Sequence, residues 1–134
     1  MTSDELKQFA ERYAKAWCSH SPDKVAAFFA ENGSITINNG PAAVGRAAIA
    51  QEAQTFMTTF PDMIVIFDKL EPRGETTAFH WTLTGTNTGP GGAGNRVQIS
   101  GYEVWKIDDD GLIAESLGHF DAADYERQLR TRQD

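Results

Sequence analysis

Thiol chemistry is nearly absent from this chain: Cys18 is its single cysteine. One cysteine excludes an internal disulfide, and its use fits a reducing compartment. Basic residues are also scarce, with 12 Lys and Arg against 19 Asp and Glu, for a net charge of -7. Polyanions are held largely by counterion release to clustered cations, so this balance argues against nucleic acid as a partner. There is no run of roughly eighteen consecutive apolar residues. The opening MTSDELKQFAERYAKAW also lacks a basic segment followed by an apolar one. The expectation is a cytoplasmic protein that makes no membrane contact.

Several catalytic signatures are missing as well. No Gly-x-Ser-x-Gly elbow offers a serine nucleophile, and Cys18 has no partner motif; its place at the end of an amphipathic segment suits packing. The glycine-rich TGPGGAGNR has no following Gly-Lys-Ser/Thr and leads into a strand pattern, so it reads as a mobile hairpin loop or pocket lid rather than a phosphate cradle. DDDG lacks the alternate spacing and closing Glu of a calcium loop and reads as a turn. No cofactor is expected.

What is present describes one globular domain over residues 1–134, with 40% hydrophobic and 23% charged residues. Thr2 and Glu5 stand at capping-box spacing, and Leu6, Phe9, Tyr13, Ala16 and Trp17 follow at helical intervals. Ser21-Pro22 predicts a second short helix with Val25, Phe28 and Phe29 buried and Gly33 ending it. SITIN alternates like a short strand. Ile49, Ala53, Phe56, Met57 and Phe60 then restore the helical period up to Pro61.

Beyond Pro61 the period becomes two. DMIVIFDKL, ETTAFHWTLTG, RVQISGYEVWKI and LIAESLGHF are β-rich and separated by EPRG, NTGPGGAGN and DDDG, which predicts an antiparallel four-strand meander. DAADYERQLRTR follows as a short surface helix or a fraying one. Helices first and a meander second give an α+β fold, with helices on one face of a single sheet and the sheet's concave side either packed solid or open as a pocket.

The chemistry concentrates in GLIAESLGHFD. Strand alternation puts Glu115, Leu117, His119 and Asp121 on one face and Ala114, Ser116, Gly118 and Phe120 on the other. Asp121 precedes AADYERQL and is placed to cap a terminal helix. Paired with His119, it can instead share a proton or hold a polar group of a ligand. His80, which shares a face with Ala78 and Thr82, approaches that pair if its face lines the concavity. Two His and one Asp also make up a metal triad in composition, but only His119 and Asp121 are locally spaced, so no metal is expected. Glu103 lies between Gly101 and Trp105 on an apolar alternation. Buried there it must be paired or raised in pKa; the plainer placement is the sheet's outer surface.

The order helix, helix, strand, helix, meander, with WTLTGTNTG and DDDGLIAESLGHFD, resembles the SnoaL-like branch of the NTF2-like superfamily. Residues 85–89 read GTNTG where the family has Gly-Thr-His-x-Gly, so Asn87 takes the place of His; 110–113 read DGLI, followed by Glu115 and Asp121. The resemblance implies an α+β cone whose N-terminal helices and curved, mostly antiparallel sheet enclose an apolar cavity, commonly as a homodimer. It implies that Asp121 is the acid/base of a polyketide cyclase-type ring closure. The Arg-x-Asp pair and the Tyr and Asn helpers of the related limonene-epoxide hydrolases are missing, which disfavours epoxide hydrolysis.

The resulting expectation is a cyclase or isomerase type enzyme for a hydrophobic carbonyl compound. Asp121 would move the proton, and His119 and His80 would hold the substrate oxygen. Trp81, Trp105, Phe56 and Phe60 are candidate walls, and Thr82, Glu103 and Leu117 complete the substrate-binding set. The alternatives are a non-catalytic dimer that binds a small apolar ligand, in which Asp121 is only a cap, and a metal enzyme using His80, His119 and Asp121.

Overall fold

Thr2 opens the first helix by a reciprocal cap. Its Oγ1 accepts the Glu5 amide at 3.1 Å, while Glu5 Oε1 accepts the Thr2 amide at 3.0 Å. In this computed structural model, which describes residues 1–130, α1 (Ser3–Cys18) buries Phe9, Tyr13 and Trp17 on its apolar face. Residues 131 and 132 of the expected terminal helix, and 133–134 of the expected domain, lie outside the described residues. The second helix, α2 (Pro22–Ala26), is shorter than expected. Phe29 has already left it and begins β1 (Phe29–Ile37), of which the sequence pattern showed only the C-terminal half. Gly33 does not end a helix. A Cβ there would lie 2.7 Å from the Ile113 carbonyl oxygen, so glycine permits the close passage of β1 along its neighbour.

A two-residue strand, β2 (Ala43–Val44), leads into α3 (Arg46–Thr59). The meander follows as β3 (Ile64–Arg73), β4 (Thr76–Thr86), β5 (Arg96–Ile107) and β6 (Ile113–Phe120), and α4 (Ala122–Arg130) comes after it. The sheet order is β2-β1-β6-β5-β4-β3. The four-strand antiparallel meander is as predicted. The sequence pattern did not foretell that β1 joins it parallel to β6, pairing Ile35 with Ser116 and Ile37 with Gly118.

The helices cover one face only. Phe9 and Tyr13 of α1 meet the Trp105 ring edge-on at 5.5 and 5.2 Å, and behind them Phe79 stacks on Trp105 at 4.8 Å. On the opposite face Ile64 and Ile66 remain about half exposed, at 53% and 49%. Past the end of β6, α4 replaces a strand along β5: the Gln128 side chain accepts from the Gln98 amide at 2.7 Å and donates to its carbonyl at 3.0 Å. Asn87 serves the same joint, since its Nδ2 donates to the Leu129 carbonyl at 3.3 Å.

Candidate functional site

The cross-strand register decides which face each candidate occupies. Trp81, Gly101 and Phe120 lie side by side on β4, β5 and β6, as do Phe79, Glu103 and Gly118. These rows face the helices. His80, Tyr102 and His119 form a row on the other face, their rings 5.5 and 5.0 Å apart. His80 Nε2 is 3.1 Å from Glu71 Oε1, and Arg73 lies over the Tyr102 ring. The hydrogen bond with His80, followed by that from Arg73, holds the exposed Glu71 carboxyl below its usual range. Thr82 is on this outer face too, donating to Asp68 Oδ2 at 2.7 Å, and Leu117 is 36% exposed there.

The expected gathering of His80, His119 and Asp121 around one pocket is therefore corrected. An alternating strand sends its odd and even residues to opposite sides, and on β6 the inward set is Ser116, Gly118 and Phe120. Asp121 lies beyond the strand end, where its Oδ1 accepts the Asp124 amide at 3.0 Å. That is the geometry of a helix N-cap. No group of three or more potential metal ligands clusters among the described residues.

On the inner face, a narrow pocket with a cavity volume of about 60 Å³ opens between the sheet and the helices. Trp17 of α1 and Phe56 of α3 wall it from the helix side, and Ile35 and Ile37 from β1. Trp81, Leu83, Ile99 and Phe120 line the sheet side. Of the expected walls, Phe56 and Trp81 lie in this lining. Phe60 and Trp105 are wholly buried behind the lining, Phe60 against Tyr125 and Trp105 against Phe79.

Among the described residues one ionisable side chain lines this pocket, and it is Glu103, not on the outer surface but 7% exposed. Its Oε1 accepts from the Tyr13 hydroxyl at 2.9 Å, Trp105 Nε1 at 3.1 Å and the Ser116 hydroxyl at 2.7 Å. Burial pushes the Glu103 carboxyl above its ordinary range, against the opposing pull of the bonds from Ser116, Trp105 and Tyr13. Burial, and then the charge of Glu103, raises the Tyr13 phenol well above its usual value. Tyr13 is thus a standing donor. In the same lining, Trp81 Nε1 is buried with no hydrogen-bond partner among the described residues.

Tyr13 and Ser116 were not among the sequence-derived candidates. The signal for Ser116 was its place on the alternation of β6 that also carries Gly118 and Phe120; for Tyr13 it was the aromatic stripe of α1. Neither signal separates a structural hydroxyl from one that holds a carboxylate, because the partner is 90 residues away for Tyr13 and 13 for Ser116.

A pocket with one raised carboxyl, walled by aromatic and aliphatic groups, can bind an apolar molecule and move a proton on it. Known structures share the fold. A candidate SnoaL-like polyketide cyclase from Jannaschia sp. CCS1 superposes with a TM-score of 0.82 at 15% identity, over 95% of this chain and 92% of that one. The epoxide hydrolase/cyclase-like enzyme SalBIII, described in pyran ring formation in the polyether salinomycin, gives 0.77 at 20% identity over 92% and 97%. A protein of ketosteroid isomerase-like fold from Catenulispora acidiphila DSM 44928, in complex with trimethylamine, gives 0.79 at 15% over 90% and 91%. Likeness at such identities shows the fold, which is the α+β arrangement of the NTF2-like and ketosteroid isomerase-like proteins. No curated protein matches the sequence. The SnoaL-like domain model matches residues 10–116, a span that holds Tyr13, Glu103, Trp105 and Ser116 together, and the chain accordingly belongs to the SnoaL-like domain family.

Proposed function

We propose that this protein is an acid/base enzyme of the cyclase or isomerase type acting on a hydrophobic carbonyl compound, with Glu103 as the group that moves the proton. The observation that carries this reading is the placement of one buried carboxyl, raised by its surroundings, in the wall of an otherwise apolar pocket. A base poised nearer neutrality than an ordinary carboxylate is better matched to removing a weakly acidic proton next to a carbonyl.

In this mechanism the apolar walls bind the carbon skeleton and exclude water. The ionised Glu103 takes the proton as enolate charge develops on the carbonyl oxygen. Glu103, then protonated, returns the proton to another atom of the same substrate. Ring closure or double-bond migration depends on what the enolate carbon meets. The family relationship and the cyclase-type neighbours support the class of chemistry.

The test is exchange of α-protons of cyclic ketones, 2-tetralone among them, followed by proton NMR in D2O. Exchange above the buffer rate that disappears in Glu103→Gln is expected. Exchange that survives in Glu103→Gln overturns the assignment to Glu103; none in the wild type, with ligand binding retained, favours a non-catalytic binding protein. The exposed Ile64 and Ile66 on the outer sheet face support a homodimer formed there. Sedimentation that finds only monomer up to high concentration overturns the dimer.

A further inference from the structure

Three donors from three different elements converge on a single oxygen of Glu103. Tyr13 comes from α1 at 2.9 Å, Trp105 from β5 at 3.1 Å and Ser116 from β6 at 2.7 Å, and all three bond Oε1. Among the described residues nothing donates to Oε2, although Glu103 lines the pocket. Three bonds to one atom fill both lone-pair directions of that oxygen. They also fix the plane of the carboxyl, because the three donors sit on separately anchored elements.

We propose that Tyr13, Trp105 and Ser116 act together as positioning residues that immobilise Oε1 and leave Oε2 as the one oxygen through which Glu103 meets a ligand. The inference rests on the reading of Glu103 as the acid/base group and specifies how that group is presented. On protonation the proton goes to Oε2, since Oε1 has no free lone pair, and the resulting O–H is the one the pocket's ligand encounters. A ligand reaching the carboxyl therefore meets one oxygen. A carbonyl or hydroxyl fits this arrangement, whereas an amidinium or guanidinium cannot form its two-pronged bond.

Each donor favours the ionised carboxyl, so deleting one moves the titration of Glu103 upward. The experiment is carboxyl-carbon NMR of protein labelled with carbon-13 at glutamate, with the Glu103 resonance identified by its loss in Glu103→Gln. In Tyr13→Phe, and separately in Ser116→Ala, the titration midpoint is expected to rise by about one pH unit, the equivalent of a lost hydrogen bond to a charged group. Tyr13→Phe keeps the ring in its aromatic packing and Ser116→Ala removes a single atom, so both should fold. Midpoints unmoved in both variants overturn the proposal.

Benzylamine and benzamidine, cations of similar size, probe the single oxygen. Benzamidine is expected to displace the Glu103 resonance at no lower concentration than benzylamine, and a clear advantage for benzamidine overturns single-oxygen presentation. The carboxyl titration is read without any turnover. Absence of ketone exchange in the wild type would thus defeat the enzymatic reading alone, while unmoved midpoints would defeat the positioning role alone.

Discussion

Gly118 stands directly opposite Glu103 across the β5–β6 pair, and a Cβ built on it would lie 3.8 Å from Glu103 Cγ and 3.9 Å from Ile37 Cγ1. Those are ordinary contact distances, so the position admits a methyl group without a clash. Gly118→Ala should fold with stability within about 1 kcal/mol of wild type, and it should narrow the pocket beside the carboxyl. Gly101, two pairs along on the same face, is different: a Cβ there would run into the His119 carbonyl oxygen and lie 2.7 Å from Trp81 Cζ2, and Gly101→Ala should cost about 1–3 kcal/mol by overpacking. Urea unfolding of the two variants distinguishes the positions, and equal losses would contradict this account.

Glu103 itself gives a stability contrast. Glu103→Gln retains an acceptor oxygen for Tyr13, Trp105 and Ser116, so its loss should stay within about 1 kcal/mol. Glu103→Ala leaves all three donors without their acceptor and should cost about 3 kcal/mol or more. Calorimetric melting of both variants at one pH checks the difference.

The raised Glu103 carboxyl also sets a direction for stability against pH. As pH rises from the ordinary carboxyl range toward the folded pKa, the unfolded chain has released this proton while the folded protein still holds it. Folding stability from this group therefore falls across that window and levels off above the folded pKa. Wild type should lose ground to Glu103→Gln as pH is raised through it. Parallel stability curves for the two proteins, measured by urea unfolding across the acidic to neutral range, would contradict the raised carboxyl.

Trp81 pairs an unmet N–H with a place in the pocket lining. Trp81→Phe removes a donor whose unmet burial costs about 1–3 kcal/mol, which offsets the packing lost with the smaller ring. Stability should stay within about 1 kcal/mol of wild type. Urea unfolding of wild type and Trp81→Phe checks this balance. A large stability loss would mean that the ring matters for packing alone.

Asp121 is predicted to act at the end of α4. Asn accepts the same amide bond that Asp121 takes from Asp124, so Asp121→Asn should leave melting unchanged, whereas Asp121→Ala should cost about 1 kcal/mol. Ketone exchange should be unaltered in Asp121→Asn. A loss of exchange in a normally folded Asp121→Asn would return the proton-moving role to this residue.

Much of the architecture was legible because it depends on local chemistry. The capping box at Thr2 and Glu5, the helical spacing of Phe9, Tyr13 and Trp17, and the turn residues between β3, β4, β5 and β6 each act within a few residues. The extent of β1 was not legible. Phe29 leaves α2 because it pairs with Ile113, 84 positions along by residue number, and no local pattern carries that partner. For the site, alternation divided β6 correctly into two faces but did not say which face meets the helices. A better signal lay in β5, where Val97, Ile99, Trp105 and Glu103 share one alternation and Arg96, Gln98 and Lys106 the other. Carried across the register from Glu103 to Gly118, it turns His119 outward.

The sequence by itself therefore determined the elements, the meander and the two candidate faces of each strand, since helical and strand periods and turn propensities are properties of neighbouring residues. Only the tertiary structure decided that α1 packs where Tyr13 reaches Glu103, and that Asp121 turns to its own helix. Those outcomes rest on contacts between distant residues, and their strength comes from burial: the same carboxyl on the outer face would be an ordinary solvated charge, while within the aromatic core it is held by three donors and raised in pKa.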